Sequence, residues 1–239
     1  MFTYIPAGDS AFIIKAGDDI SPETNATVYA LLTEIEKRNM HGIIDFIPSY
    51  NELMICYDPI MIDHRVLFEQ LKQCADNANV AMASERKRIH IPVLYGGAFG
   101  PDMSEVAQQH DITEKDLIAK HTAPDYPVYM LGFTPGFCYL GGMDASIATP
   151  RRAAPRTKIP AGSVGIADKQ TGIYPIESPG GWNLIGRTPL ILFDKNKADP
   201  FLINAGDILR FYAISEHEYH DISTAVAAGT FSVNKERTP

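Results

Sequence analysis

The sequence predicts an α+β protein in which a ferredoxin-like α/β sandwich (residues 1–86) precedes a β-barrel (residues 87–239). In the first segment, apolar residues recur with a period of 2 or of about 3.6, in the order strand, helix, strand, strand, helix, strand. That order is typical of ferredoxin-like sandwiches. In the second segment, short apolar runs alternate with glycine and proline turns, a spacing typical of a closed or nearly closed barrel.

The elements of the first segment follow from local signals. Ser10–Lys15 reads as the first strand. Ser21 is a predicted N-cap, and Pro22 suits the first helical position because its missing N–H needs no partner there. The helix itself is indicated by an apolar repeat (Val28, Leu31, Leu32, Ile35), with Gly42 as its stop. The remaining predicted elements are a hairpin of Ile43–Pro48 and Glu52–Tyr57 and a helix from near Asp63 that buries Leu67, Leu71 and Cys74.

The charge-rich stretch Ser84–Arg88 is the predicted boundary, because exposed linkers commonly separate domains. Strand Ile89–Tyr95 follows, and then a helical region over Asp102–Thr122 with two short helices that meet near His110. The later predicted strands are Val128–Leu131, Ser163–Ile166, Gly172–Ile176, Trp182–Ile185, Leu190–Phe193 and Asp207–Tyr212. Acidic side chains outnumber lysines in the helical region and would repel phosphates, which argues against a DNA-reading helix-turn-helix.

Composition excludes several classes of protein. The net charge of −8 argues against general nucleic-acid binding. No apolar stretch reaches the roughly 18 residues of a membrane span. The N-terminus lacks the pattern of a signal peptide, so we expect a cytoplasmic protein. Three cysteines (Cys56, Cys74 and Cys138) without CxxC spacing argue against a disulfide framework and against a zinc site.

One quarter of the chain, residues 129–189, differs from the rest. It holds 10 of the 18 glycines, 7 of the 17 prolines and the only tryptophan, and it carries a net charge of +3. A basic, turn-rich surface on an acidic protein predicts a site for a small anion. The same glycines and prolines are also what the tight corners of a barrel need. Composition alone leaves both interpretations open.

The candidate residues for an anion site offer complementary chemistry. Arginine presents a planar fork that matches a carboxylate or a phosphate. The loop Ser178–Trp182 (SPGGW) offers a hydroxyl and backbone N–H groups that could form an anion nest or stabilise an oxyanion. The full set of candidates is Arg151, Arg156, Gln170, Thr171, Tyr174, Ser178, Gly180, Gly181, Trp182 and Arg187.

The usual catalytic signatures are missing from the sequence. It contains no GxxxxGK[ST] loop for ATP, no GxSxG elbow and no HExxH pair. Cys138 is interpreted as a buried strand residue and not as a nucleophile. The sequence shows no self-evident triad, so its catalytic residues stay unassigned. This pattern fits a subunit that contributes part of a shared active site.

Three long motifs resemble a known family: GFTPGFCYLGG, TPRRAAPRTKIPAGSVGIADKQTGIYP and SPGGWNLIGRTP. Together with IHIPVLYGGAFGPD and GDSAFII, they make the chain similar to the B subunits of 5-oxoprolinases, a family also called allophanate hydrolase subunit 1 or KipI. The resemblance covers nearly the whole chain and implies that the barrel is cyclophilin-like. One departure is Asp168, which stands where many relatives have a glycine. An Asp there tolerates a left-handed turn but adds a negative charge beside the proposed anion site.

The resemblance implies the B subunit of a bacterial-type, ATP-dependent 5-oxoprolinase, which converts 5-oxo-L-proline and ATP to L-glutamate, ADP and phosphate. The implied partners are the C and A subunits of that enzyme, and the chain alone is expected to be inactive. ATP is then a co-substrate whose site need not lie on this chain, and no metal or organic cofactor is indicated.

The same resemblance implies an alternative, an inhibitor of a sporulation histidine kinase. Such an inhibitor would dock on the kinase through the glycine-rich segment, with Trp182, Tyr174 and Phe137 as anchors. Prolyl isomerase activity, a third reading, has only the barrel to support it.

Overall fold

The structure is a computed structural model that describes residues 2–78 and 86–238. It has a mixed α/β architecture and divides into two compact units, Met1–Glu85 and Arg86–Pro239. Residues 79–85, which include Ser84 and Glu85 of the predicted boundary, lie outside the described residues. Whether each unit folds alone stays a prediction.

The N-terminal unit is an antiparallel four-stranded sheet covered on one face by two helices. The sheet order is β1 (Thr3–Pro6), β2 (Ala11–Lys15), β4 (Glu52–Tyr57) and β3 (Ile43–Pro48), with helices α1 (Pro22–Arg38) and α2 (His64–Asn77). Side chains along β2 and β4 point alternately to the two faces of the sheet, so one face buries Phe12, Ile14, Leu53 and Ile55. These residues pack with Leu31 and Leu67 of the helices. One hydrophobic core therefore holds this unit together.

The helix starts in this unit are as predicted. The Ser21 side chain accepts a hydrogen bond from the Thr24 N–H at 3.2 Å, and Pro22 is the first helical residue. The predicted stop is wrong by a few residues, because α1 ends at Arg38 and Asn39 caps it in the left-handed region with φ 45°. Strand β1 was not predicted. The predicted strand after the second helix falls on residues that the structure does not describe.

The C-terminal unit is a closed barrel of seven strands. Around the barrel the order is β12 (Asn183–Arg187), β9 (Ser163–Ala167), β10 (Gln170–Ile173), β7 (Cys138–Leu140), β6 (Tyr126–Leu131), β13 (Ile208–Ala213) and β5 (Arg86–Tyr95). Pairing of β12 with β5, Gly186 opposite Tyr95, closes the ring. Strand β14 (Lys235–Thr238) pairs with β5, and β8 (Arg156–Ile159) forms a two-stranded ribbon with β11 (Ser178–Gly180). The predicted barrel is confirmed.

The helices of this unit are α3 (Met103–Gln109), α4 (Glu114–Thr122) and α5 (Glu216–Ala227), with a 3-10 turn at Ala145–Ile147. The first two confirm the predicted helical region, whereas helix α5 and the short strands β7, β8, β11 and β14 were not predicted. The predicted strand Leu190–Phe193 is wrong, since only an isolated bridge between Phe193 and Phe201 occurs there. The basic stretch before Ile89 belongs to β5 itself, so the strand starts three residues earlier than predicted.

Two apolar clusters lie within the C-terminal unit. The larger fills the barrel with aliphatic side chains such as Ile91, Val128 and Ile166. The smaller contains Phe137, Ile159, Ala167, Tyr174, Trp182 and Leu184. All six members belong to the glycine-rich segment, in which Ala167 lies on β9 and Leu184 on β12. We call this cluster the floor of that segment.

Candidate anion-binding site

A single buried carboxylate organises the glycine-rich segment. Asp102 is 3% exposed, and its Oδ1 accepts hydrogen bonds from Arg152 Nη1 at 2.8 Å and from Arg156 Nη2 at 2.7 Å. Its Oδ2 accepts from the Leu184 backbone N–H at 2.7 Å. One side chain therefore ties the stretch TPRRAAPR to barrel strand β12. We call Asp102, Arg152 and Arg156 the Asp102 clamp.

The loop that carries Asp102 requires its glycines. Gly96 and Gly97 have φ of 73° and 52°, a region that glycine tolerates best. At Gly100 a Cβ atom would collide with the Ile185 carbonyl, because the loop lies directly on β12. The loop also positions Phe99, whose ring lies 5.3 Å from the Arg187 guanidinium. The loop thus places Asp102 and Phe99 on strand β12, where they contact Leu184 and Arg187.

The arginines of this region keep hydrogen-bonding capacity that the protein does not use. Among the described residues, four buried polar atoms of these arginines and of the SPGGW loop find no hydrogen-bond partner: Arg152 Nε, Arg156 Nη1, Arg187 Nε and Ser178 Oγ. Thr134 Oγ1 is a fifth, elsewhere in the glycine-rich segment. Buried donors without partners are rare in native proteins and need an explanation. Three of the four belong to guanidinium groups, so an anion is the ligand that would satisfy them.

Tyr174 lies beside the two candidate arginines on the floor of the segment. Its phenol is buried, and burial raises its pKa to about 12, while a hydrogen bond from the Trp182 backbone and the charges of Arg151 and Arg156 act in the opposite direction. A Cβ atom at Gly180 would collide with the Tyr174 hydroxyl. The glycine therefore permits the loop to lie on the phenol. The structure brings Arg156, Tyr174 and Gly180 together.

Trp182 is a floor residue and not a surface residue. It is 5% exposed, and its ring stands edge-on to Phe137 at 5.4 Å and to Tyr174 at 6.3 Å. Phe137 and Tyr174 are buried as well. The predicted docking anchors Trp182, Tyr174 and Phe137 are therefore wrong as anchors, because they face one another. The exposed aromatic of the segment is Phe133, which is 64% exposed and has φ 63°.

The remaining candidates lie in three different settings. Arg151 is exposed and pairs with Asp168 at 3.3 Å. Asp168 itself has φ 52°, which confirms the predicted left-handed turn. Gln170 is half-buried at the start of β10, next to that turn. The Gly181 carbonyl accepts a hydrogen bond from the Arg152 N–H at 2.8 Å and so joins the Asp102 clamp to the SPGGW loop.

Thr171 belongs to a polar chain inside the barrel. Its hydroxyl lies 2.8 Å from His121 Nε2 and donates to the Gly165 carbonyl, so the imidazole donates to Thr171. The other ring nitrogen, Nδ1, accepts from the Tyr95 hydroxyl at 2.8 Å. Burial lowers the pKa of His121 to about 3. This neutral histidine was not singled out from the sequence, because its partners lie far along the chain.

Cys138 is fully buried in β7, as predicted for a strand residue. Burial raises the pKa of its thiol to about 12, so it stays protonated at neutral pH. Within residues 2–78 and 86–238, no cluster of three His, Cys, Asp or Glu side chains is arranged to hold a metal ion. Over the same residues, no helix combines the length and the apolarity that crossing a bilayer demands.

Comparison with known proteins decides the family. The family model of the carboxyltransferase domain, subdomain C and D, matches residues 2–203. The B subunit of the Bacillus subtilis 5-oxoprolinase is 44% identical over 223 residues, which are 89% of this chain and 93% of that protein. The chain belongs to the family of 5-oxoprolinase B subunits.

Two solved structures extend the comparison. A conserved uncharacterized protein from Pyrococcus horikoshii is 47% identical and has a TM-score of 0.55, with 91% of this chain and all of that chain covered. The urea amidolyase of Kluyveromyces lactis is 21% identical and has a TM-score of 0.80, with 99% of this chain covered. This chain corresponds to only 16% of the urea amidolyase chain, so the shared feature is the fold.

Proposed function

We propose that this chain is the B subunit of an ATP-dependent 5-oxoprolinase, which opens the lactam of 5-oxo-L-proline to L-glutamate. The observation that supports this function is the 44% identity to the Bacillus subtilis B subunit over nearly the full length of both chains. The chain acts with the C subunit, its closest partner, and with the A subunit. It is inactive alone, and ATP is a co-substrate of the complex.

The reaction explains why such a subunit needs an anion site. A five-membered lactam is a stable amide and a poor electrophile. Transfer of a phosphoryl group from ATP to its carbonyl oxygen makes the ring carbon a good electrophile for water. The C–N bond then breaks to release the amine, a second water hydrolyses the acyl phosphate that remains, and positive charge stabilises the developing anions. The substrate also carries a carboxylate on the ring. Both groups match an arginine that has unused N–H donors.

We assign the carboxylate or phosphoryl group to the unpaired donors of the Asp102 clamp. Asp102 holds Nη2 of Arg156, which leaves Nη1 of the same guanidinium without a partner among the described residues. Ser178 is on β11, the strand that pairs with Arg156 in β8, and its buried hydroxyl is also unpaired. A guanidinium fixed on one edge loses little entropy when it binds a ligand on the other.

The experiment is reconstitution of the three-component enzyme. Release of ADP and of L-glutamate from 5-oxo-L-proline is measured with the A and C subunits, in the presence and absence of this chain. We expect coupled release of both products only when the chain is present. Equal turnover without it would refute the proposal. Strong suppression of histidine-kinase autophosphorylation, without any effect on lactam cleavage, would favour the inhibitor.

The finer fold assignment is part of the same proposal. We assign the N-terminal unit to the ferredoxin-like sandwiches, with β1 at the sheet edge next to β2, and the barrel to the cyclophilin-like class. The order β1-β2-β4-β3 and the two helices on one face support the first assignment. We expect residues 86–239 to fold alone, with a cooperative thermal transition. A fragment that gives none would refute the division into two domains.

A further inference from the structure

The N-terminal unit contains a pocket that the proposed reaction does not use. A cavity of about 620 Å³ lies between the C-terminal end of α1, the following turn, the segment after β4 and one side of α2. Its lining includes Arg38, Met40, His41, Met61, Gln70 and Gln73. All of its lining residues belong to this unit, so the pocket is independent of the Asp102 clamp.

The charge of the pocket favours a carboxylate. None of the described residues that line it is acidic. Arg38 donates to the Gln73 side-chain oxygen at 3.1 Å, which orients the guanidinium, and has no acidic partner within 4.0 Å among the described residues. His41 adds an imidazole at the same end. An oriented guanidinium without a counter-charge is suited to a carboxylate ligand.

A second feature calls for an N–H donor. Gln70 Oε1 is buried and finds no hydrogen-bond donor among the described residues. The C-terminal end of α1 adjoins the same pocket, and the carbonyl end of a helix carries partial negative charge. An ammonium group satisfies both features, because it donates three hydrogen bonds and carries a positive charge. Met40, Met61 and Ile62 also line the pocket and offer apolar surface to the body of such a ligand.

We propose that this pocket binds a free α-amino acid, with its carboxylate on Arg38 and its ammonium group on Gln70 Oε1 and the end of α1. The ligand class follows from the lining and not from the lactam reaction. Such a site would let the protein bind an amino acid through residues other than those of the Asp102 clamp.

The test is a titration of the full chain carrying methyl-labelled methionine, followed by NMR. The probe is L-glutamate. Its comparators are 5-oxo-L-proline, which has the carboxylate but a neutral lactam N–H, and glutarate, which has no nitrogen. We expect saturable shifts of the Met40 and Met61 methyl signals with L-glutamate and much smaller ones with the comparators. Met143, in the C-terminal unit, is the internal control.

Two variants and one matched control make the titration decisive. Arg38→Gln and Gln70→Leu should each raise the dissociation constant at least about tenfold. Arg65→Gln, an exposed arginine on α2 outside the lining, should not change it. Absence of shifts, or equal shifts with glutarate, would overturn the inference. Binding that is lost in Arg156→Gln but kept in Arg38→Gln would also overturn it and would place glutamate at the reaction site instead.

Discussion

Two buried polar clusters in the C-terminal unit differ in how completely their members are hydrogen-bonded. The chain through His121 is neutral, and both ring nitrogens have partners, Tyr95 on one side and Thr171 on the other. The Asp102 clamp is charged, and it leaves Arg152 Nε and Arg156 Nη1 without partners in the part of the chain that the structure describes. Both ring nitrogens of His121 are therefore already used, whereas the Asp102 clamp still has N–H donors that could bind a ligand.

The difference separates a structural network from a candidate site. A buried polar network that is fully satisfied rigidifies the fold around it. The His121 chain does so between α4 and the barrel strands β5 and β10. A charged cluster with unused donors is costly to keep unless a ligand uses them. We therefore propose the clamp as the functional site, and the predictions below are ways to test this proposal.

The largest expected effect is on stability and follows from the loss of the shared carboxylate. Asp102→Ala leaves the partly buried guanidinium of Arg156 without a counter-charge and leaves Arg152 with only the exposed Glu105. Loss of one partner of such a buried pair typically lowers the free energy of unfolding by about 3–5 kcal/mol. Urea denaturation of the purified chain measures this loss. Glu105→Ala is the matched control, because Glu105 also contacts Arg152 Nη1, at 3.3 Å, but is 70% exposed. Equal effects of the two variants would show that Asp102 does not organise the segment.

The next effect concerns ligand binding. Arg156→Gln should weaken binding of 5-oxo-L-proline or of ATP to the complex about a hundredfold, since a charge-assisted hydrogen-bond pair is lost. Trp182 is the only indole of this chain and lies on the floor of the site, so its fluorescence, in a complex whose partner chains have their tryptophans replaced, reports binding.

Lys158→Gln is the control for this prediction. Lys158 lies two residues away on the same strand, is 69% exposed and pairs with Glu177 on the neighbouring strand connection. It should bind like the wild type. If Arg156→Gln also binds like the wild type, the unused donors are solvated in solution and the clamp is purely structural.

The sequence predicted elements whose signals are local, and it missed contacts between distant residues. Ser21 and Pro22 identified a helix start because capping needs only adjacent residues. Asp168 identified a left-handed turn for the same reason. The bond from Arg152 to Asp102 joins residues 50 positions apart, and so does the bond from His121 to Thr171. No periodicity reports such pairs.

The chemistry of the residues predicted which candidates belong to the site better than their positions in the motifs predicted which way their side chains face. Arg156 and Gly180 lie opposite each other in the β8–β11 pair, and Gly180 lies directly on the Tyr174 hydroxyl, so these three candidates do lie together. Thr171 points into the barrel instead, because strand alternation turns it towards His121. Trp182 is buried although a loop motif carries it. Which face a side chain occupies depends on strand register, and register was not readable from the motif.

A smaller effect tests the satisfied cluster through pH. His121 has a pKa of about 3 in the folded protein, against about 6.5 in an unfolded chain, because burial disfavours the charged ring. Below pH 6.5 the unfolded state therefore binds a proton that the folded state does not. The free energy of unfolding should be at its full value above pH 6.5 and fall by up to about 1.4 kcal/mol per pH unit as the pH drops towards 3.

Urea denaturation between pH 7.5 and 5 measures this slope, a range in which most carboxylates stay ionised. His121→Gln should remove most of the slope, whereas His217→Gln, on the exposed side of α5, should keep it. An unchanged slope in His121→Gln would mean that the imidazole reaches solvent in the native state.

The smallest effect concerns Cys138. Its thiol is fully buried and accepts a hydrogen bond from the Ile173 backbone, so the hydroxyl of Cys138→Ser keeps that partner. We expect the substitution to lower the free energy of unfolding by about 1 kcal/mol, because a more polar group is buried. Cys56→Ser, at a half-buried position of the N-terminal unit, should lower it less.

The reconstituted complex with Cys138→Ser should retain most of its turnover, because a thiol with a pKa of about 12 supplies no thiolate at neutral pH. A loss of turnover by several orders of magnitude in a folded variant would make Cys138 a nucleophile and would move the chemistry away from the arginines.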